Sequence, residues 1–137
     1  MNNKIVGYTS GVFDLFHVGH LRLLEACRER CESLTVAVST DKLVKSYKGK
    51  KPIIPFHERV EIVESLWCVD SVIAQNSLDK FRAWEKLKYD ILFVGDDWFG
   101  TESWKDYEKK LKKRGVVVVY FPYTKGISTT KIRKKLR

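Results

Sequence analysis

The chain has 137 residues, 44% of them hydrophobic and 12% aromatic, which suits one packed domain over residues 1–137 and argues against a disordered chain. Lys and Arg number 26 against 17 Asp and Glu, a formal net charge of +9, which favours an anionic partner (nucleic acid, a membrane surface or a phosphorylated small molecule) without choosing among them. No apolar run approaches the length of a membrane span, and the opening MNNKIVGYTSG lacks a signal-peptide layout, so a cytoplasmic protein is expected.

In chain order, a short apolar run predicts a strand over residues 4–8. It leads into Gly11-Val12-Phe13-Asp14-Leu15-Phe16-His17-Val18-Gly19-His20 and then a helix over 18–31, with Leu21, Leu24, Cys27 and Cys31 on one stripe. Residues 34–39 read as a buried parallel strand. The polar stretch 45–52 holds Gly49 and Pro52 and reads as a flexible basic loop. A helix over 55–67 starts with Pro55 in its first turn. A strand over 71–74 follows, then a helix over 77–87 with Ser77 as its N-cap. A strand over 90–94 ends at Gly95, a helix over 103–114 is closed by Gly115, and a strand spans 116–121. Ser128 or Thr129 then caps a short terminal helix. Strands and helices alternate five times, the pattern of an α/β Rossmann-like three-layer sandwich with a central parallel sheet of about five strands. Ligands of such sheets bind beyond the carboxyl ends of the strands. The motif turn, Ser39-Thr40-Asp41, Gly95-Asp96-Asp97 and the Gly126 loop all follow strands and are expected to meet there.

The turn from the first strand into the first helix carries the chemistry. His17 and His20 are three apart, so both rings can face the same way from the first helical turn. That turn also offers free backbone N–H groups and the positive end of the helix dipole, which attract phosphate. The alternative is a plain helix start with one buried and one exposed histidine. No GxxxxGK[ST] and no GxGxxG occurs, and no Ser-His-Asp order supports a hydrolase. Of three cysteines, Cys27 and Cys31 have the spacing of a metal pair on a helix, but nothing completes a zinc site; reduced thiols on a buried face are expected. The basic runs 109–114 and 131–137 read as solvated helix faces. Gly126, Ile127, Ser128, Thr129 and Thr130 read either as a second phosphate cradle or as an ordinary N-cap.

GVFDLFHVGH resembles the GxFDxxHxGH signature of the cytidylyltransferase family of nucleotidyltransferases. Gly126-Ile127-Ser128-Thr129-Thr130 resembles its second signature, RTEGISTT, and Gly95-Asp96-Asp97-Trp98 lies between them as in the small bacterial glycerol-3-phosphate cytidylyltransferases. The resemblance implies transfer of CMP from CTP to an alcohol phosphate, best matched by sn-glycerol 3-phosphate, with pyrophosphate released and the CDP-alcohol used for cell-wall or capsule polymers. It implies that His17, His20, Lys50 and Ser128 serve the reaction. Gly11, Val12, Phe13, Asp14, Asp96, Lys125 and residues Gly126, Ile127, Ser128, Thr129 and Thr130 would bind the nucleotide with them. Lys48, Arg59 and Lys80 would hold the acceptor phosphate, Asp14 would orient the turn, and Trp98 would pack beside a base. Mg2+ is expected with the triphosphate, its ligands unassigned, and a homodimer is implied by the family alone.

Three positions depart from that pattern. Tyr123 and Lys125 stand for the arginine and glutamate of RTEG, and Trp67 stands for the arginine before Tyr-Val-Asp. Two cations expected near the phosphates are thus absent from their usual places, and Lys125 can restore one. A different acceptor, a rebuilt site and reduced activity all fit this. Adenylyl transfer from ATP is the second reading, because HxGH does not name the base. A nucleotide sensor or nucleic-acid binder is the non-enzyme reading; no aromatic RNA-binding pattern or helix-turn-helix supports nucleic acid.

Overall fold

The computed structural model describes residues 4–95 and 102–121. In order they form β1 (Val6–Gly11), α1 (Val18–Glu29), β2 (Ser33–Ser39), α2 (Asp41–Lys48), α3 (Phe56–Glu64), β3 (Ser71–Gln75), α4 (Lys80–Leu87), β4 (Ile91–Gly95), α5 (Glu102–Lys113) and β5 (Val117–Phe121). The strands make one sheet in the order β3-β2-β1-β4-β5, with every neighbouring pair parallel. This is the Rossmann-like α/β architecture expected from the alternation. Chain order reverses between β1 and β4, which opens a crevice at their carboxyl ends.

Alternation along the strands divides the core between two faces. Leu34, Val36 and Val38 of β2 and Phe93 of β4 pack with Leu24 and Cys27 of α1 and Val63 of α3. Tyr8, Ala37 and Leu92 face the other way, against Trp104 and Leu111 of α5, with Phe81 and Trp84 of α4 at the margin. Cys27, Cys31 and Cys68 are free and buried, so the i, i+4 spacing served packing. Among the described residues no helix is long and apolar enough to cross a membrane.

The larger differences from the sequence reading lie at four places, three of them with a visible cause. β1 runs on to Gly11 because Thr9, Ser10 and Gly11 pair with Val36, Ala37 and Val38 of β2; backbone pairing carries the strand past the apolar run. Residues 41–48 are helical, so the first half of the stretch 45–52 read as loop belongs to a helix. Thr40 Oγ1 accepts from Leu43 N at 3.1 Å, Val44 is buried, and Gly49 at φ 79° closes the helix in the left-handed conformation that glycine adopts without strain. The third helix stops at Glu64. α4 begins at Lys80, capped by Asp79 rather than Ser77, because the Asp79 carboxylate accepts from both Phe81 N and Arg82 N.

Candidate active site

The motif turn is held in a conformation that few residues adopt. Phe13 and Leu15 have φ of 56° and 49°, the left-handed region, at about 1–3 kcal/mol each for non-glycine residues. Asp14 over-determines the turn. Its buried carboxylate accepts from Leu15 N at 3.1 Å, Ile53 N at 2.8 Å and Ile54 N at 2.8 Å. The chain leading into α3 is thereby pinned to the motif, and Asp14 orients the turn as expected.

The two histidines form a reciprocal cap on α1. His17 is the N-cap, and its Nδ1 accepts from Gly19 N at 3.0 Å. His20 Nδ1 accepts from His17 N at 3.1 Å. Two imidazoles thus fill the places that Ser/Thr and Glu take in an ordinary capping box. Since both Nδ1 atoms accept, a neutral ring carries its hydrogen on Nε2. Burial lowers the His17 pKa. Burial, then the neighbouring His17, lower that of His20 to about 4, against an opposing pull from Asp14. Both rings are therefore neutral at pH 7, each with one Nε2–H donor. They stack with centroids 4.0 Å apart, and Phe13 and Phe16 pack on His20, which fixes the ring.

A cleft of about 400 Å³ opens at the ends of β1 and β4. Gly11, Val12, Phe13, Asp14 and His20 line it from the motif, Lys48 and Lys50 from the end of α2 and the loop beyond, and Lys80 from α4. His17 is not among the residues that line the cleft; it touches this group through its stack on His20. Lys80 Nζ bonds Ser10 Oγ and Gln75 Oε1. The sequence reading did not include Thr9, Ser10, Tyr47 or Lys51 in the cleft, although all four line it. The available signal was a pair of hydroxyl residues just before Gly11 and an aromatic beside Lys48.

Arg59 lies elsewhere than the resemblance implies. Its side chain is fully buried. Nε donates to Ile54 O at 2.8 Å, Nη1 to Val12 O at 2.7 Å and to Ser39 O at 2.8 Å, and Nη2 to Asp41 Oδ1 at 2.6 Å. Four of the five N–H groups a guanidinium possesses are thus engaged within the fold. It ties the motif turn, the end of β2 and the start of α3 together instead of facing the cleft. Trp67 is 70% exposed, donates to Glu25 Oε2 at 3.3 Å, and does not line the cleft. Asp96, Asp97, Trp98, Tyr123, Lys125, Gly126, Ile127, Ser128, Thr129 and Thr130 lie outside the described residues.

The described residues offer little to hold the expected magnesium. Among the described residues no three His, Cys, Asp or Glu side chains gather as a metal centre, and Asp14 is committed to backbone N–H groups. The described residues therefore form no protein-held magnesium cage. What the arrangement offers is donors and cations around a concave opening, suited to offsetting negative charge on phosphates.

Comparisons with known proteins agree with that chemistry. Residues 8–135 match the family model described as cytidylyltransferase-like. The chain is 36% identical over 140 residues to a glycerol-3-phosphate cytidylyltransferase of Bacillus subtilis, covering 97% of this chain and 96% of that one. It is 35% identical over 133 residues to an FAD synthase of Thermococcus sibiricus, covering 96% of this chain and 89% of that one. Among solved structures, a lipopolysaccharide core biosynthesis protein of Thermoplasma volcanium superposes with a TM-score of 0.73 at 27% identity, covering 91% of this chain and 100% of that one. Fold, paired histidines and near-full-length similarity converge: this chain belongs to the cytidylyltransferase-like family and is a nucleotidyltransferase.

Proposed function

We propose that the protein transfers CMP from CTP to an alcohol phosphate, sn-glycerol 3-phosphate first among them. A phosphate oxygen of the acceptor attacks the α-phosphorus, the bond from that phosphorus to the bridging oxygen breaks, and pyrophosphate leaves. A phosphate monoester has a second pKa of about 6 and is largely dianionic near neutrality, so the nucleophile needs no general base. The task left to the protein is to align the reactants and stabilise the charge that grows around phosphorus.

The observation that carries the reading is the pair of neutral imidazoles at the start of α1. Their Nε2–H groups and the free N–H groups of the first helical turn supply donors for the triphosphate. Lys48, Lys50 and Lys80 line the cleft together with His20; Lys48 and Lys80 supply positive charge for the acceptor, and Lys50 serves the nucleotide. Magnesium accompanies the triphosphate in this reading, and Lys125 to Thr130 complete the nucleotide site from the carboxyl-terminal segment. The choice of CTP and glycerol 3-phosphate is supported by similarity to the Bacillus subtilis enzyme. Adenylyl transfer from ATP is the second reading, supported by similarity to the archaeal FAD synthase.

The test pairs CTP or ATP with sn-glycerol 3-phosphate, other polyol and amino-alcohol phosphates and flavin mononucleotide, and identifies products by mass spectrometry. CDP-glycerol and pyrophosphate are expected. An AMP adduct of flavin mononucleotide with no CMP adduct would replace this reading with the second. No adduct in any pairing would remove both.

A further inference from the structure

The carboxyl ends of β1, β2 and β3 carry a chain of polar side chains that the histidine motif does not include. Ser39 and Gln75 are buried, and Gln75 Nε2 donates to Ser39 Oγ at 2.9 Å. The Lys80 ammonium, a donor only, fixes the amide with Oε1 accepting from Lys80 Nζ at 3.0 Å; the reverse orientation would set two donors against each other, and the Ser39 hydroxyl suits either. Ser10 of β1 takes a second N–H of the same ammonium. Among the described residues the third N–H has no partner, and the side chain lines the cleft.

Both acceptors are neutral. The carboxylate next to Lys80 in the chain, Asp79, is engaged in capping α4, and no ion pair among the described residues includes Lys80. Burial pulls the Lys80 ammonium down to about 8, as happens to a cation desolvated without a counter-charge. Such a charge is unfavourable alone and favourable with an anion beside it. The cleft must also hold two mutually repelling polyphosphate and phosphate groups, and the donors of α1 serve the triphosphate. The second anion needs cations besides those donors, and Lys80, whose two partners are neutral, is one that lines the cleft beside Lys48.

We propose that Gln75 is the positioning residue of an acceptor-phosphate subsite: it aims the Lys80 ammonium into the cleft and, as an amide rather than a carboxylate, leaves that charge for a phosphate monoester. The proposal rests on the transfer reading for the identity of the ligand, while the geometry of Ser39, Gln75, Lys80 and Ser10 stands apart from it. Glutamate at position 75 would have nearly the same shape and would neutralise the ammonium before substrate arrives.

The experiment uses the full chain and two independent readouts. Calorimetric titration with inorganic phosphate, without nucleotide, reports the subsite whether or not transfer occurs. Steady-state kinetics with CTP and sn-glycerol 3-phosphate report it during turnover. Gln75→Glu should weaken phosphate binding and raise the acceptor KM by about tenfold, the scale of one charge-assisted hydrogen bond. The KM for CTP and kcat at saturating acceptor should change by less than about threefold. Gln75→Met, which loosens Lys80 without adding charge, should have the smaller effect of the two, and Lys80→Met should match Gln75→Glu. Folding of each variant is checked by circular dichroism; if Gln75→Glu does not fold, Lys80→Met against Gln75→Met carries the comparison.

Unchanged phosphate affinity and acceptor KM in the charge-altering variants would overturn the proposal. So would equal effects of the Glu and Met variants, or an equal rise in both KM values. Phosphate binding that depends on residue 75 without any transfer would keep the subsite and remove the transfer reading. Transfer that ignores residue 75 would do the reverse, and wild-type protein that neither binds phosphate nor transfers would remove both.

Discussion

Arg59→Lys separates a framework arginine from a substrate-binding one. Lysine keeps the charge opposite Asp41 but is a point donor and cannot reproduce the guanidinium fork. The carbonyls of Val12, Ser39 and Ile54, which accept from Arg59 at 2.7–2.8 Å, lose their partner, Ser39 in a buried place and the other two in half-buried ones. Each unsatisfied group costs about 1 kcal/mol at the low end of its range, so the substitution should destabilise by about 3 kcal/mol. With a urea slope of about 2 kcal/mol/M for a domain of this size, the unfolding midpoint should fall by about 1.5 M. Because Val12 belongs to the motif turn, the KM values for nucleotide and acceptor should rise together. An unchanged midpoint with a rise in the acceptor KM alone would refute the reasoning and return Arg59 to the acceptor site.

Other substitutions and conditions follow from the same geometry. Gly7→Ala would set a Cβ 2.7 Å from both Cys31 Sγ and Phe93 Cε2; overpacking of this kind costs about 2 kcal/mol, read as a fall of about 6 °C in a thermal melt, and an unchanged melt would contradict the close approach. His20 titrates near 4 when folded and near 6.5 when unfolded, so the unfolded chain takes up the proton first. Its contribution is complete above about pH 6.5 and is lost as the pH falls toward 4, about 2 kcal/mol between pH 7 and pH 5. Urea unfolding of wild type and His20→Gln across that window should show the difference, and identical slopes would contradict it.

The motif turn was legible because its information is local. Histidines three apart after a strand, with one glycine before them and one between them, are enough to mark a helix start with the donors a phosphate needs. The sheet was legible for the same reason, since each buried strand is its own apolar run. What escaped depends on contacts between distant parts of the chain. Arg59 looks like a solvent-facing helix cation until Val12 and Ser39, 47 and 20 residues away, are brought to it. Gln75 ends a strand with nothing nearby to show that it meets Ser39 and Lys80. α2 was hidden by the lysines of 45–51, whose charge suggested solvent while Thr40, Val44 and Gly49 carried the helical instructions.

The central claim is that the triphosphate lies at the start of α1, against the two imidazoles. A crystal structure of the protein with CTP measures this directly. Phosphate oxygens are expected within hydrogen-bond distance of His17 Nε2 and His20 Nε2 and of the N–H groups in the first turn of α1 that the histidine cap leaves free. A triphosphate bound away from that helix start, with both Nε2 atoms facing solvent, would contradict it.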